Sequence, residues 1–107
     1  MNIEPEVLSR ASVSQEILQI SREGMRKTIT DGTAQQLKDL PVEVAGKTGT
    51  AQFGNENKTH SWFVSYAPYN NPEIVMAILM EGKSEEHASS VPITKEVYDW
   101  YFSRDTK

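Results

Sequence analysis

The sequence contains no cysteine, so neither a disulfide nor a thiolate metal site can form. That absence leaves the redox compartment open. Histidine is nearly absent too. His60 begins a strand with no second histidine or carboxylate pattern at metal-ligand spacing, and His87 sits among charges and reads as solvated; no metal is expected, and no cofactor. No run of about eighteen apolar residues exists, so no segment of this stretch is expected to span a membrane. The opening Met1-Asn2-Ile3-Glu4-Pro5-Glu6 is acidic and abrupt, unlike a signal peptide. Positive charge is in deficit: 11 Lys and Arg against 15 Asp and Glu give a net charge of −4, which argues against a nucleic-acid partner. Repeats and low-complexity tracts are lacking. What is there is 107 residues, 37% hydrophobic, with a mean hydropathy of −0.54. That is enough for one domain or part of one, with a modest core.

The periodicity predicts a helix, three strands and a second helix. Residues 1–12 read as an extended lead-in. Ser14 is a candidate N-cap, with Ser12 and Gln15 a competing capping box. Ile17, Leu18, Ser21, Gly24, Met25, Thr28 and Ile29 fall on one stripe at helical spacing. Small residues at Ser21 and Gly24 imply close approach of this helix to a sheet, because Gly within a helix costs about 1 kcal/mol against Ala. Gly32 is expected to end the helix as its C-terminal cap. A short turn is expected between Ala34 and Leu40.

Strands follow at about 42–53, 60–67 and 74–80. Gly54–Lys58 is a polar turn, and Pro68-Tyr69-Asn70-Asn71-Pro72 a hairpin loop. In the second strand Trp62, Val64 and Tyr66 share one face; Ser61, Phe63, Ser65 and Ala67 share the other. The third strand is apolar on both sides, so cover is expected on both. A charged loop over 82–90 leads to Pro92, which suits a first helical position. Ile93, Val97, Trp100 and Tyr101 form the apolar stripe of the last helix. Trp62, Trp100, Tyr98 and Tyr101 read as packing residues rather than a carbohydrate platform.

One stretch departs from this economy. Val44-Ala45-Gly46-Lys47-Thr48-Gly49-Thr50-Ala51-Gln52 places glycines, a lysine and threonines where a core strand would carry Val and Ile. Gly within a strand often marks close approach of a ligand or another backbone. The two-residue period turns Thr48 and Thr50 to one face and Lys47 to the other. Gly46-Lys47-Thr48 superficially matches the end of a phosphate-binding loop. That motif needs a further Gly where Pro41 stands, and a helix where Gly49 follows, so a nucleotide site is rejected.

The same residues resemble the Lys-Thr-Gly box of penicillin-binding proteins and serine β-lactamases. The likeness extends over Gly46–Gln52, then His60-Ser61-Trp62-Phe63-Val64-Ser65-Tyr66-Ala67-Pro68, with Gly24-Met25 and Asp31-Gly32-Thr33-Ala34 before them. Together these resemble the C-terminal part of a transpeptidase domain of a class B penicillin-binding protein, nearest the elongation-type penicillin-binding protein 2. The resemblance covers residues 10–103. It implies an α+β fold, with a three-stranded antiparallel sheet and both helices packed on one face. Residues 1–107 would be a single partial domain beginning at an introduced Met1.

The resemblance also implies a chemistry. A serine attacks a D-alanyl-D-alanine peptide, forms an acyl-enzyme and passes the acyl group to an amine of a neighbouring stem peptide; β-lactams trap that serine. Lys47 matches the box lysine, which favours the developing anion and attracts a substrate carboxylate. Thr50 matches the residue whose backbone N–H forms half of the oxyanion hole. The Thr48 and Thr50 hydroxyls match carboxylate-binding positions. Gly49 leaves room for the acyl group to lie along the strand edge, and Gln52 extends that substrate-binding edge.

The nucleophile is not among these residues. No Ser has a Lys three positions later, and Ser-x-Asn does not occur. Tyr69-Asn70-Asn71 imitates a Tyr-x-Asn variant but lies after the Lys-Thr-Gly box, in a loop. Acylation by this chain alone is therefore not expected. The parent would be anchored in a bacterial cytoplasmic membrane with this domain outside it. Asn57-Lys58-Thr59 is then an ordinary loop, not a glycosylation site. A β-lactamase or β-lactam-sensor piece, and a non-catalytic module capturing extended peptides at its sheet edge, are the competing readings. An uncovered edge on the third strand predicts homo-oligomerisation.

Overall fold

The structure, a computed structural model, describes residues 2–54, 58–84 and 90–104. Helix α1 spans Gln15–Thr30, and its N-cap is Ser14, whose side chain accepts the Ile17 N–H at 3.2 Å. Ser12 is not used. Asp31, not Gly32, takes the C-cap position. Gly32 does not adopt the left-handed conformation. It is small for another reason: a Cβ there would lie 3.0 Å from both the Cα and the carbonyl oxygen of Thr28. The chain thus folds tightly back on the last turn of α1, and the Ala34 N–H donates to the Thr28 carbonyl at 3.1 Å. A short 3-10 turn, Gln35–Asp39, then buries Leu37.

The stripe on α1 is only partly used. Ile29 is buried, while Ile17 and Leu18 are exposed. The close approach expected at Gly24 does not occur: a Cβ there would meet nothing within 4 Å. Among the described residues no element packs on that part of the helix, so its small residues have no packing explanation here.

Strands β1 (Ala45–Phe53), β2 (Lys58–Ala67) and β3 (Ile74–Ser84) form one antiparallel sheet in the order β1-β2-β3. The register sets Gly46 opposite Ser65, Lys47 opposite Val64, Thr48 opposite Phe63, Gly49 opposite Trp62 and Thr50 opposite Ser61. Across the β2–β3 hairpin loop the Glu73 N–H donates to the Ala67 carbonyl at 2.9 Å, and the Tyr69 N–H reaches the Glu43 carbonyl at 2.8 Å. An irregularity between Thr59 and Ser61 interrupts the β2–β3 register. There the Gly82 N–H donates to His60 Nδ1 at 3.3 Å, and Gly82 takes the φ of +68° that favours glycine.

The core lies on the sheet face that carries Phe63 and Ala67. Ile29, Ala34, Leu37, Leu40, Val44, Val91 and Tyr98 complete it, with Ile74 and Met76 packed against it. Both helices therefore meet the sheet on one face, α1 through its last turn. Helix α2 (Val91–Ser103) has Pro92 in its first turn. Its buried side is Val91, Thr94 and Tyr98, not the stripe of Ile93, Val97, Trp100 and Tyr101. One polar contact with the sheet, and one within the first turn of α2 itself, accompany this choice of face. The Tyr98 and Ser65 hydroxyls lie 2.8 Å apart in the core, and Thr94 Oγ1 donates to the Ser90 carbonyl at 2.9 Å. Trp100 is consequently 63% exposed, and the packing role expected of the aromatics holds for Tyr98 but not for Trp100.

The opposite sheet face is open. Trp62, Val64, Val75 and Leu79 are 42%, 41%, 73% and 39% exposed. The cover expected on both faces of β3 is found on one face among the described residues. The tip after Gly54, with Asn57, and the stretch holding Glu85, Glu86 and His87 lie outside the described residues.

Candidate active site

Among the described residues strand β1 is an edge of the sheet, with β2 as its one neighbour. Alternate backbone groups of an antiparallel edge strand point away from the sheet and can bond an added strand. Val44 and Ala45, just ahead of the lysine, are fully buried and anchor this end of the strand. Arg26 on α1 fixes it further, donating from Nη1 to the Val44 carbonyl at 2.7 Å.

The two glycines of the strand then diverge. At Gly46 a Cβ would lie 2.6 Å from the Phe63 ring and 2.8 Å from the Val64 carbonyl oxygen. This glycine is demanded by the core. At Gly49 a Cβ would meet only the Trp62 Cβ, at 3.8 Å, and the residue is exposed. The surroundings within this chain do not require a glycine there.

Lys47 is exposed, and its Nζ donates to the Thr48 carbonyl at 2.6 Å. Lys47 and Thr48 line a cleft of about 390 Å³, closed on the other side by Gly24, Lys27 and Thr28 of α1 and by Asp31, Gly32 and Thr33 of the corner that follows. Thr48 is half-buried, and its hydroxyl lies 3.1 Å from that of Thr33. Gly49, Thr50 and Gln52 continue along the strand, exposed and outside this lining. The sequence-predicted residues thus form one ribbon, of which Lys47 and Thr48 meet the cleft. Thr33 and Lys27 complete that cleft. Thr33 stood within the Asp-Gly-Thr-Ala run of the resemblance, but its contact depends on how the corner folds.

The remaining candidates fall elsewhere. Asn70 and Tyr69 line a separate cleft of about 220 Å³ with Gln19, Arg22 and Pro72, so the Tyr-Asn-Asn run does not join Lys47. Burial is the larger cause raising the Tyr66 phenol above its ordinary value; the Tyr69 charge adds to it and Arg22 opposes it. Among the described residues no cluster of His, Cys, Asp and Glu could hold a metal ion.

The Lys-Thr-Gly ribbon and its hairpin partner sit within a longer match. The family model described as the penicillin binding protein transpeptidase domain matches residues 2–99. The chain belongs to this family. A Haemophilus influenzae transpeptidase-domain protein, the peptidoglycan D,D-transpeptidase MrdA, is 29% identical over 101 residues, covering 78% of this chain. Penicillin-binding protein 2A of Bacillus subtilis is 31% identical over 120 residues, covering 99% of this chain. The chain spans only 16% and 17% of the lengths of these class B relatives. Penicillin-binding protein 2B of Streptococcus pneumoniae superposes with a TM-score of 0.85, covering 100% of this chain and 19% of its own. At 21% identity that likeness shows the fold alone. No described helix of this transpeptidase-domain chain is long and apolar enough to cross a membrane.

Proposed function

We propose that this chain supplies the Lys-Thr-Gly wall of a peptidoglycan D,D-transpeptidase site. The observation that carries the reading is the exposed Lys47 at the mouth of a cleft, on a strand that has no second neighbour among the described residues. In this reading an extended stem peptide adds to β1 as a further strand, held by main-chain hydrogen bonds. Gly49 lets the acyl group lie against the edge. The Thr50 N–H is one donor of the oxyanion hole, and a single such donor contributes about 3 kcal/mol of transition-state stabilisation. The Lys47 ammonium favours the nearby anion, and the Thr48 and Thr50 hydroxyls, with Gln52 further along, hold the substrate's carboxylate end.

The attacking serine belongs to polypeptide outside this chain, since no serine here has a lysine three positions on. The chain alone is therefore inactive. Residues 1–107 are one partial domain of a parent anchored in a bacterial membrane with this domain on its outer side, and β-lactams acylate that parent as substrate mimics. The uncovered β3 edge favours association of isolated chains.

A labelled penicillin tests this by mass spectrometry. The chain alone is expected to carry no stable adduct, and the native-length enzyme one, on a serine outside residues 1–107. An adduct on any serine within this chain would overturn the reading.

A further inference from the structure

The corner after α1 brings a hydroxyl to β1 that the reading above leaves without work. Thr33 Oγ1 and Thr48 Oγ1 are 3.1 Å apart, and both residues line the cleft with Lys47. Thr33 is exposed, yet the chain around it is fixed. Ala34 on one side is fully buried and bonded to the Thr28 carbonyl at 3.1 Å. Gly32 on the other side is pressed against the last turn of α1, where a Cβ would have 3.0 Å. Thr48, for its part, is β-branched and sits in a strand, so its χ1 choices are few.

A hydroxyl has one proton and two lone pairs. Within the pair one hydroxyl donates to the other, which leaves one proton of the two uncommitted. If Thr33 donates, the Thr48 proton is free to turn into the cleft, and its donation is strengthened by the bond it accepts. That places an O–H donor in the cleft that Lys47 also lines. A carboxylate accepts only, through two oxygens, and charge-assisted donors suit it best.

We propose that Thr33 is a positioning residue. It accepts or gives the hydrogen bond that fixes the Thr48 hydroxyl, so that the pair and Lys47 together take the carboxylate of the bound acyl donor. This rests on β1 being a wall of the acyl-transfer site.

The test measures the second-order rate of acylation of the native-length enzyme by a penicillin and by its methyl ester, which has no carboxylate anion. Thr33→Val, which keeps shape and loses the hydroxyl, is expected to slow acylation by the free acid about three- to tenfold, the worth of one hydrogen bond. Thr33→Ser restores most of that rate. On the methyl ester Thr33→Val has no effect. A Thr33→Val rate equal to the wild type on the free acid overturns the proposal, and so does an equal loss on acid and ester, which marks a merely structural disturbance. Thr33→Ala repeats the comparison should the valine variant not fold. Lys47→Ala separates the two levels: full acylation in that variant would remove the underlying reading of β1, whereas its loss with an unchanged Thr33→Val removes the role of Thr33 alone.

Discussion

Gly46 and Gly49 lie on one strand and answer to different neighbours. Gly46 yields space to the Phe63 ring and to a carbonyl. A methyl group there forces ring or strand to shift, and overpacking of this kind costs about 1–3 kcal/mol. Gly46→Ala should therefore move the urea midpoint down. Gly49→Ala adds a Cβ with only a van der Waals contact to Trp62, so its unfolding curve should stay close to that of the parent chain. Under the proposed function the order reverses at Gly49 in the native-length enzyme: acylation should fall, because the added methyl would occupy the edge along which the acyl group is proposed to lie.

Both glycines could be recognised from the sequence as departures from a core strand. Which one serves packing could not, because the Phe63 contact depends on strand register. Lys47 and Thr48 stand out in the sequence as polar residues directly after Val44 and Ala45, which are buried, but the Thr33 hydroxyl that meets Thr48 depends on how the corner after α1 folds.

Tyr98 carries a pH dependence at the same scale. Burial raises its phenol above the ordinary value of 10.0, with the Ser65 hydrogen bond acting against that. The unfolded chain releases this proton near the ordinary value while the folded chain retains it. Stability from this group is whole below about pH 10 and declines as pH climbs toward the higher folded value. Urea unfolding followed from about pH 8 to about pH 11 should show that decline, and Tyr98→Phe should flatten part of it.

Among the elements, α1 is held at its ends more than along its length. Ser14 caps its start and Ile29 docks its last turn. Ser14→Ala removes the acceptor for the Ile17 N–H and should cost about 0.5–2 kcal/mol, read by circular dichroism during denaturation. The helices and strands themselves were visible from period and punctuation. The faces were not. Hydrophobicity alone marks Ile93, Val97, Trp100 and Tyr101 on α2, but the Tyr98 hydroxyl turns inward to Ser65, and Thr94 bonds back to Ser90. The buried face of α2 includes a polar partner on another element, Ser65 of β2, which the apolar pattern of α2 alone does not reveal. On α1 the close approach expected at Ser21 and Gly24 is not found: a Cβ at Gly24 meets nothing within 4 Å among the described residues.

For the whole molecule, the sheet is covered on one face and uncovered on the other. Trp62, Val64, Val75 and Leu79 make the second face apolar, and among the described residues β3 has a strand on one side only. Unprotected edges of this kind pair readily with other chains. Analytical ultracentrifugation of the isolated chain should show reversible self-association that rises with concentration, and a chain that stays monomeric at high concentration would contradict this. The architecture was legible because Lys47-Thr48-Gly49 lies in a run whose flanks also match one domain family.

The structure of a penicillin acyl-enzyme of the native-length protein tests the central claim most directly. It should place the acyl carbonyl oxygen about 2.7–3.1 Å from the Thr50 backbone nitrogen, with the penicillin carboxylate against Lys47 and Thr48. An adduct seated away from β1, with the Lys47 ribbon facing empty solvent, would contradict it.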